Sequence, residues 1–266
     1  MAGARGDHRD AAGRWARTLA QWTIPDAILA VAPENPWGFP PALFDSRDAP
    51  VGALHRLAAA ALPDGGTVLD VGCGGGAASM PLAGRAAHLT GVDRSPAMLA
   101  SFARAAEQRG VGHTEVRGEW PAVAGDVPPA DVVVCRNVAY NVPGVVELVT
   151  SLTDHATGQV VVELTEEHPS VTLAPLWMAF WGLERPRGPT AGDFAEVLDD
   201  LGYRPVVERE TRPASKANAS ADQVVAFVRR RLCLDPSRDP EVAAALAGLH
   251  GPGQDVVTSV VFAWSP

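Results

Sequence analysis

The stretch VLDVGCGGG, residues 68–76, places an acidic residue at the end of an apolar run and then four glycines within five positions. A short apolar run bounded by turn residues is typical of a buried strand. Glycine lets the backbone that follows turn sharply and approach a ligand closely. The stretch therefore predicts a buried strand whose carboxyl end leads into a ligand-binding turn.

The chain on either side of this stretch alternates between strand and helix patterns. The predicted strands are 67–71, 88–93, 113–118, 130–137, 159–165, 203–210 and 255–264, and the predicted helices include 50–66, 77–86, 95–110, 143–156 and 190–202. Such alternation indicates βαβ units and a parallel sheet with helices on both faces. We therefore expect an α/β fold with a doubly wound, seven-stranded sheet in three αβα layers.

Other segments lie outside this alternation. Residues 1–49 combine two helical patterns with a loop rich in proline and aromatic residues, and we expect them to form an N-terminal helical lid. Residues 50–266 then form the main domain, with cap insertions at about 168–189 and 212–253. The apolar residues of the first insertion have helical spacing, which is more often a packed core than a substrate wall. Trp37, Phe39 and Phe44 are candidates to close the crevice from the other side.

Composition restricts the partners of the protein. The 266 residues carry a net charge of −9, and a protein that binds nucleic acid usually has a basic surface instead. The run Arg229, Arg230 and Arg231 is either a solvated face or a grip for an acidic substrate. Three scattered cysteines argue against a disulfide framework, and we find neither a signal segment nor an apolar run that would span a membrane. We expect a cytoplasmic protein with no metal site.

The glycine turn fits two classes of cofactor. Gly72, Gly74 and Ala77 match the G-x-G-x-x-A pattern of a dinucleotide site. The preceding Asp70 discriminates, because a carboxylate beside a pyrophosphate would repel it in a partly dry site. A cofactor that carries positive charge would instead be attracted. Asp93 ends the second predicted strand, where its two oxygens are placed to accept the ribose hydroxyls of a nucleoside.

Residues 70–76 read as D-x-G-x-G-x-G, and with the ordered motifs across about 50–165 the chain resembles class I S-adenosylmethionine (SAM) methyltransferases. The resemblance implies that SAM is the cofactor and S-adenosylhomocysteine (SAH) the product. It also implies that the last strand runs antiparallel between the fifth and sixth. Asp70 would then organise the cofactor's ammonium group, directly or through water. The remaining cofactor residues that it implies are Gly72, Cys73, Gly74, Gly76, Asp93, Arg94, Met98, Gly118, Glu119, Trp120, Arg136 and Asn137.

Methyl transfer to a protonated oxygen or nitrogen needs a general base within hydrogen-bond reach. His168 is the first candidate, since the segment TEEHP follows the fifth strand at the carboxyl edge of the sheet. Glu166 in the same segment and Tyr140 after the fourth strand are further catalytic candidates. A solvated acidic turn is the alternative interpretation of TEEHP.

The acceptor is the least determined part of the function. Many relatives that modify nitrogen carry an (N/D)PP(Y/F) element after the fourth strand, and CRNVAYNV at 135–142 lacks it. We expect a small-molecule acceptor, methylated at oxygen or nitrogen. A non-catalytic SAM- or SAH-binding module, a protein or tRNA acceptor, and an NAD-dependent oxidoreductase are the alternatives. The sequence leaves open whether the chain is a monomer or a homodimer.

Overall fold

The computed structural model of the chain describes residues 10–37, 51–213, 220–249 and 256–266. Its strands form one seven-stranded sheet in the order β3-β2-β1-β4-β5-β7-β6. The strands are β1 (Thr67–Val71), β2 (His88–Asp93), β3 (Gly112–Arg117), β4 (Ala130–Arg136), β5 (Ala156–Thr165), β6 (Val206–Pro213) and β7 (Val256–Trp264). Strands β1 to β5 pair in parallel, whereas β7 runs antiparallel to both β5 and β6. The predicted fold class and the antiparallel last strand are confirmed.

Nine α-helices lie within the described ranges. They are α1 (Ala11–Ala20), α2 (Asp26–Leu29), α3 (Ala53–Ala61), α4 (Pro96–Arg109), α5 (Val145–Asp154), α6 (Ala174–Trp181), α7 (Ala191–Asp200), α8 (Ala221–Arg231) and α9 (Asp239–Leu249). Several begin and end where the sequence predicts: Ser95 caps α4 through its hydroxyl, and Gly110 ends it with a φ of +66°. None of the helices in these ranges has the length and apolar composition needed to cross a bilayer.

The two faces of the sheet carry separate cores, because successive side chains of a strand point to opposite sides. Leu69 packs in the cluster that includes α1, α5 and α7, where Trp15 and Phe194 are fully buried. Val68 packs in the opposite cluster with α3 and α4, around Phe102. The result is the three-layer αβα arrangement that the alternation predicts.

A third apolar cluster lies outside the sheet layers and is formed by the N-terminal segment with α6, α8 and α9. Its buried members include Ile24, Trp177, Leu232 and Val242. Both segments predicted as cap insertions contribute to it, so we refer to it as the cap cluster. Arg229 joins its parts through ion pairs to Glu34, at 2.5 Å, and Asp239, at 2.9 Å. Arg229 is therefore neither a solvated face nor open to a substrate.

One predicted helix is wrong. Residues 77–86 form turns, with a single 3₁₀ turn at Met80–Leu82 instead of an α-helix. The reason is Pro81, which has no N–H to donate to the carbonyl of Ala77 four residues earlier. The ring nitrogen Nε2 of His55 contacts that carbonyl oxygen at 2.9 Å and takes the place of the missing donor.

Candidate cofactor site and active centre

The candidate site lies where the chain direction across the sheet reverses. From β1 the chain leads to β2 and β3 on one side, and it returns to β4 on the other side of β1. Ligands of doubly wound folds bind in the crevice beyond the carboxyl ends of the strands at this point. The glycine turn at 72–76, defined here as the glycine loop, begins at this crevice.

Asp70 is a fully buried acid of the site. Its side chain is 1% exposed, and the Ser79 hydroxyl donates a hydrogen bond to its Oδ2 atom at 2.6 Å. Its Oδ1 atom is buried and has no hydrogen-bond partner among the described residues. Burial raises the pKa of Asp70 to about 7, and the nearby charge of Asp93 adds to the rise, while the Ser79 bonds act in the opposite direction. An acceptor oxygen buried in this way calls for a donor or a positive charge.

Three glycines of the loop have positive φ values: +68° at Gly72, +50° at Gly74 and +85° at Gly76. A Cβ atom at Gly72 would collide with the Val138 side chain, and one at Gly76 would lie 2.7 Å from Met80. At Gly74 no atom of the described residues, chain neighbours apart, lies within 4 Å of such a Cβ. The backbone at Gly74 therefore borders open space, as close approach to a ligand requires.

Asp93 is held in place by two backbone donors. Its Oδ2 atom accepts a hydrogen bond from the N–H of Gly74 at 3.0 Å, and its Oδ1 atom accepts one from Ser95 at 2.8 Å. A carboxylate oxygen accepts more than one hydrogen bond. Both oxygens therefore keep capacity for two hydroxyl donors from a ligand.

The next predicted residues around the crevice have varied surroundings. Cys73 is buried, Met98 is buried in the first turn of α4, and Gly118 packs so closely on Val123 that a Cβ would collide. Arg94 and Glu119 form an exposed ion pair at 3.4 Å. They lie after β2 and β3, at the carboxyl edge where the loops of the crevice gather. Their roles toward a cofactor stay predictions.

Trp120 lies in the core cluster that includes Leu69, with its ring 4.7 Å from the His155 ring in an edge-on contact. Its indole Nε1 is buried without a hydrogen-bond partner in the described ranges. The structure thus places Trp120 mainly as a packing residue. Its predicted place beside an adenine ring stays a prediction.

Arg136 and Asn137 brace the ends of two strands. Arg136 forms an ion pair at 3.1 Å with Glu163, which is buried on β5. Asn137 has a φ of +57°, and its Oδ1 atom accepts a hydrogen bond from the N–H of Thr165 at 2.9 Å. Both side chains are engaged with the protein, and the implied cofactor contacts of these two residues stay predictions.

Sequence reasoning missed the network around Glu163. Its Oε1 atom also accepts a hydrogen bond from Ser259 at 2.9 Å and lies 3.5 Å from Arg212. The signal was present, since Glu163 follows an apolar run near the end of β5 much as Asp70 does on β1. No glycine turn follows Glu163, so its sequence context alone does not indicate a buried polar network. Ser79 and His55 were missed because nothing near them in the sequence indicates their partners.

The predicted bases His168 and Tyr140 are packed against aromatic rings. His168 stacks on Trp22 with 4.3 Å between ring centroids, and its Nδ1 atom accepts a hydrogen bond from Ser170. Burial lowers the pKa of His168 to about 4, although the backbone of Tyr140 partly opposes this. A neutral imidazole whose acceptor nitrogen is already occupied is a poor proton acceptor near pH 7. These contacts favour a packing role for His168 over the catalytic role that the sequence predicts.

Tyr140 is buried as well. Its hydroxyl donates to the carbonyl of Thr165 at 2.5 Å, its ring stacks on Trp15, and burial raises the pKa of its phenol. Its hydroxyl is thus committed to the backbone. Glu166 differs, because its carboxylate is half-exposed and lies 3.6 Å from Arg209 at the carboxyl end of β5.

Two further observations bear on ligands. Within the described ranges, no group of three or more His, Cys, Asp or Glu side chains is arranged to hold a metal ion. Trp37 is half-exposed, with its ring 5.9 Å from the Arg231 guanidinium. Phe39 and Phe44 lie outside the described residues.

Comparison with known proteins gives one family match. Residues 68–155, from β1 to the residue after α5, match the family model described as a methyltransferase domain. No similar protein was found among curated sequences.

Solved structures show the same fold. A SAM-dependent methyltransferase from Thiobacillus denitrificans, in complex with SAH, is 22% identical over 91% of this chain and 98% of its own, with a TM-score of 0.54. A second from Geobacter sulfurreducens, also with SAH, is 20% identical over 91% and 98%, with a TM-score of 0.55. Coclaurine N-methyltransferase, bound to N-methylheliamine and SAH, is 12% identical over 100% of this chain and 90% of its own, with a TM-score of 0.55. At these identities the likeness establishes the shared fold. Residues 68–155 thus match a methyltransferase domain, and the chain shares its fold with SAM-dependent methyltransferases of known structure.

Proposed function

We propose that this chain transfers the methyl group of SAM to a small-molecule acceptor, by in-line displacement at an oxygen or nitrogen atom. The observation that carries the cofactor assignment is the buried Asp70 carboxylate, whose Oδ1 atom lacks a partner among the described residues, on the strand that leads into the glycine loop and its open backbone at Gly74. SAM supplies an electrophilic methyl group on a sulfonium, which is already an activated leaving group.

The charges around the glycine loop support SAM over a dinucleotide. Asp70 is suited to the cofactor's ammonium group, directly or through one water, and Asp93 is suited to the two ribose hydroxyls. A pyrophosphate at the same loop would face both carboxylates in a poorly solvated site, which is electrostatically unfavourable. The residues present therefore fit SAM.

The protein contributes to methyl transfer mainly by alignment and exclusion of water. The glycine loop and Asp93 fix one end of the crevice. Tyr140, in the loop after β4, and His168, in the loop after β5, pack these loops against the N-terminal segment through the contacts of their rings with Trp15 and Trp22. For an acceptor that must lose a proton, Glu166 is the remaining candidate base.

Two observations support a small-molecule acceptor. The cap cluster gives the segments outside the sheet an apolar core of their own. Binding pockets for small organic ligands are lined mainly by apolar side chains of this kind. Coclaurine N-methyltransferase, whose structure aligns with the whole of this chain, is bound to N-methylheliamine. We propose accordingly that residues 1–49 and the two insertions enclose the acceptor, while residues 50–266 form the SAM-binding domain.

Calorimetry with SAM, SAH and NAD tests the cofactor. We expect wild-type protein to bind SAM and SAH and the Asp93→Ala variant to lose most of that affinity. Binding of NAD by a protein that does not bind SAM would overturn the assignment.

Methyl-labelled SAM tests the acceptor. The enzyme is incubated with a cell extract, which is then divided into small-molecule, protein and RNA fractions. Label in the small-molecule fraction supports the proposal, whereas label confined to protein or RNA contradicts it. SAH binding without any transfer would favour a binding module.

A further inference from the structure

His55 lies outside the site that the sequence predicts, in the first turn of α3, and is 3% exposed. Its Nδ1 atom contacts the N–H of Gly52 at 2.9 Å, and its Nε2 atom contacts the carbonyl oxygen of Ala77 at 2.9 Å. A backbone N–H only donates and a carbonyl only accepts. The imidazole is therefore neutral, with its proton on Nε2. Burial lowers the pKa of His55, which agrees with this state.

The contact with His55 gives the carbonyl oxygen of Ala77 a hydrogen-bond donor. Ala77 directly follows the glycine loop, and Pro81 cannot supply the donor that a helix would give its carbonyl. A buried carbonyl without a donor is costly. His55 therefore fixes the end of the loop, which no hydrogen bond from residue 81 can do.

The backbone that bonds to the Nδ1 atom of His55 is itself anchored to the sheet. The N–H of Ala53, next to Gly52, donates to the Glu210 carboxylate of β6 at 2.7 Å. Leu54 and Ala58 of α3 are fully buried against the sheet. Through His55 the glycine loop is thus tied to α3 and, through α3, to the far edge of the sheet.

We propose that His55 is a positioning residue for the cofactor: acting through the carbonyl of Ala77, it holds the glycine loop in the conformation that receives SAM. His55 itself does not touch the cofactor. The inference rests on the proposed function, since it takes the glycine loop to be the SAM site.

Two substitutions separate the two contacts of the ring. In His55→Gln the side-chain amide reaches the position of Nε2 and can donate to Ala77. In His55→Asn the shorter side chain reaches only the position of Nδ1, so it can accept from Gly52 but not donate to Ala77. We expect calorimetry to show SAH affinity near wild type for the first variant and about tenfold weaker for the second.

Pro81→Ala supplies an independent donor, because alanine restores an N–H four residues after Ala77. We expect the loss caused by His55→Asn to shrink in the Pro81→Ala background. This double variant also carries the test if His55→Asn alone proves unstable: SAH affinity near wild type supports the proposal, and an undiminished loss contradicts it. Thermal unfolding without ligand reports the stability of each variant separately.

The outcomes distinguish this inference from the proposed function. Equal SAH affinity for the wild type, His55→Gln and folded His55→Asn would overturn the role of His55 alone. A wild type that binds neither SAM nor SAH would overturn the proposed function, and this inference with it.

Discussion

The Oδ2 atom of Asp93 accepts a hydrogen bond from the backbone N–H of Gly74, with 3.0 Å between the heavy atoms. The bond joins the end of β2 to the loop that follows β1, and Ser95 holds the second oxygen of the same carboxylate. The side chain predicted to hold the ribose therefore also shapes the glycine loop. Substitution of Asp93 therefore tests the carboxylate of the site, and substitution of Gly74 tests the backbone of the loop.

Asp93→Ala removes an acceptor for two backbone donors and for the proposed ribose hydroxyls. Hydrogen bonds to charged groups contribute about 1.5–3 kcal/mol each, so we expect SAH affinity to fall about 100-fold in calorimetry. Asp93→Asn is the matched variant, because it keeps one acceptor oxygen, and we expect a smaller loss of about tenfold. Unchanged affinity in Asp93→Ala would remove Asp93 from the cofactor site.

Asp70→Asn tests the buried carboxylate through its effect on stability. The pKa of Asp70 is about 7 in the folded protein against 3.8 for the ordinary group, so between these values the folded state holds a proton that the unfolded chain has lost. The contribution of Asp70 to stability therefore falls as pH rises from about 4 to about 7. Above pH 7 the unliganded Asp70→Asn variant should unfold at a higher temperature than the wild type, by a few degrees. A lower unfolding temperature would contradict the burial argument.

The same variant should bind SAM less tightly. In the wild type, SAM affinity should rise as pH increases through about 7, because the ionised carboxylate attracts the ammonium group. In Asp70→Asn this rise should be absent, and affinity above pH 7 should be about tenfold lower. Calorimetry at a series of pH values measures both. A pH profile that is the same in both proteins would show that Asp70 does not face the ammonium group.

Gly74→Ala tests the open backbone of the loop. Gly74 has a φ of +50°, which costs an alanine roughly 1 kcal/mol, and the added methyl group would enter space that has no atom of the described residues within 4 Å, chain neighbours apart. We expect a folded protein with SAH affinity at least about tenfold weaker, since the methyl group would stand where the cofactor approaches. Gly84→Ala is the control, as it also meets no neighbour but lacks the positive φ, and it should leave affinity unchanged.

His168→Gln separates packing from catalysis. We expect a loss of stability of roughly 1–3 kcal/mol, because the stacking on Trp22 is lost, with SAH affinity preserved. The lowered pKa of His168, about 4, means that the wild type loses stability as pH falls from about 6.5 to 4, and the variant should lose less. Glu166→Gln, at an exposed position, is the control for stability. Lower turnover of the His168→Gln variant at unchanged stability would restore His168 as a base.

The sequence predicted the parts of this protein that depend on near neighbours in the chain. Strand periodicity, the extent of the helix that begins after Ser95, and the sharp turn of the glycine loop follow from local backbone geometry and hydrogen bonding. Asp70 was recognisable for the same reason, since an acid directly before a glycine turn is a short-range pattern.

Only the tertiary structure decided the roles that depend on distant partners. His55 contacts a carbonyl oxygen 22 residues away in the chain. Arg136 forms an ion pair with Glu163, and Arg229 forms one with Glu34, 195 residues away. His168 has an ordinary sequence context, yet the ring of Trp22 covers it and its pKa falls. The removal of water from a side chain, and therefore its charge state, depends on which remote segments pack against it, and no local pattern in the sequence specifies that.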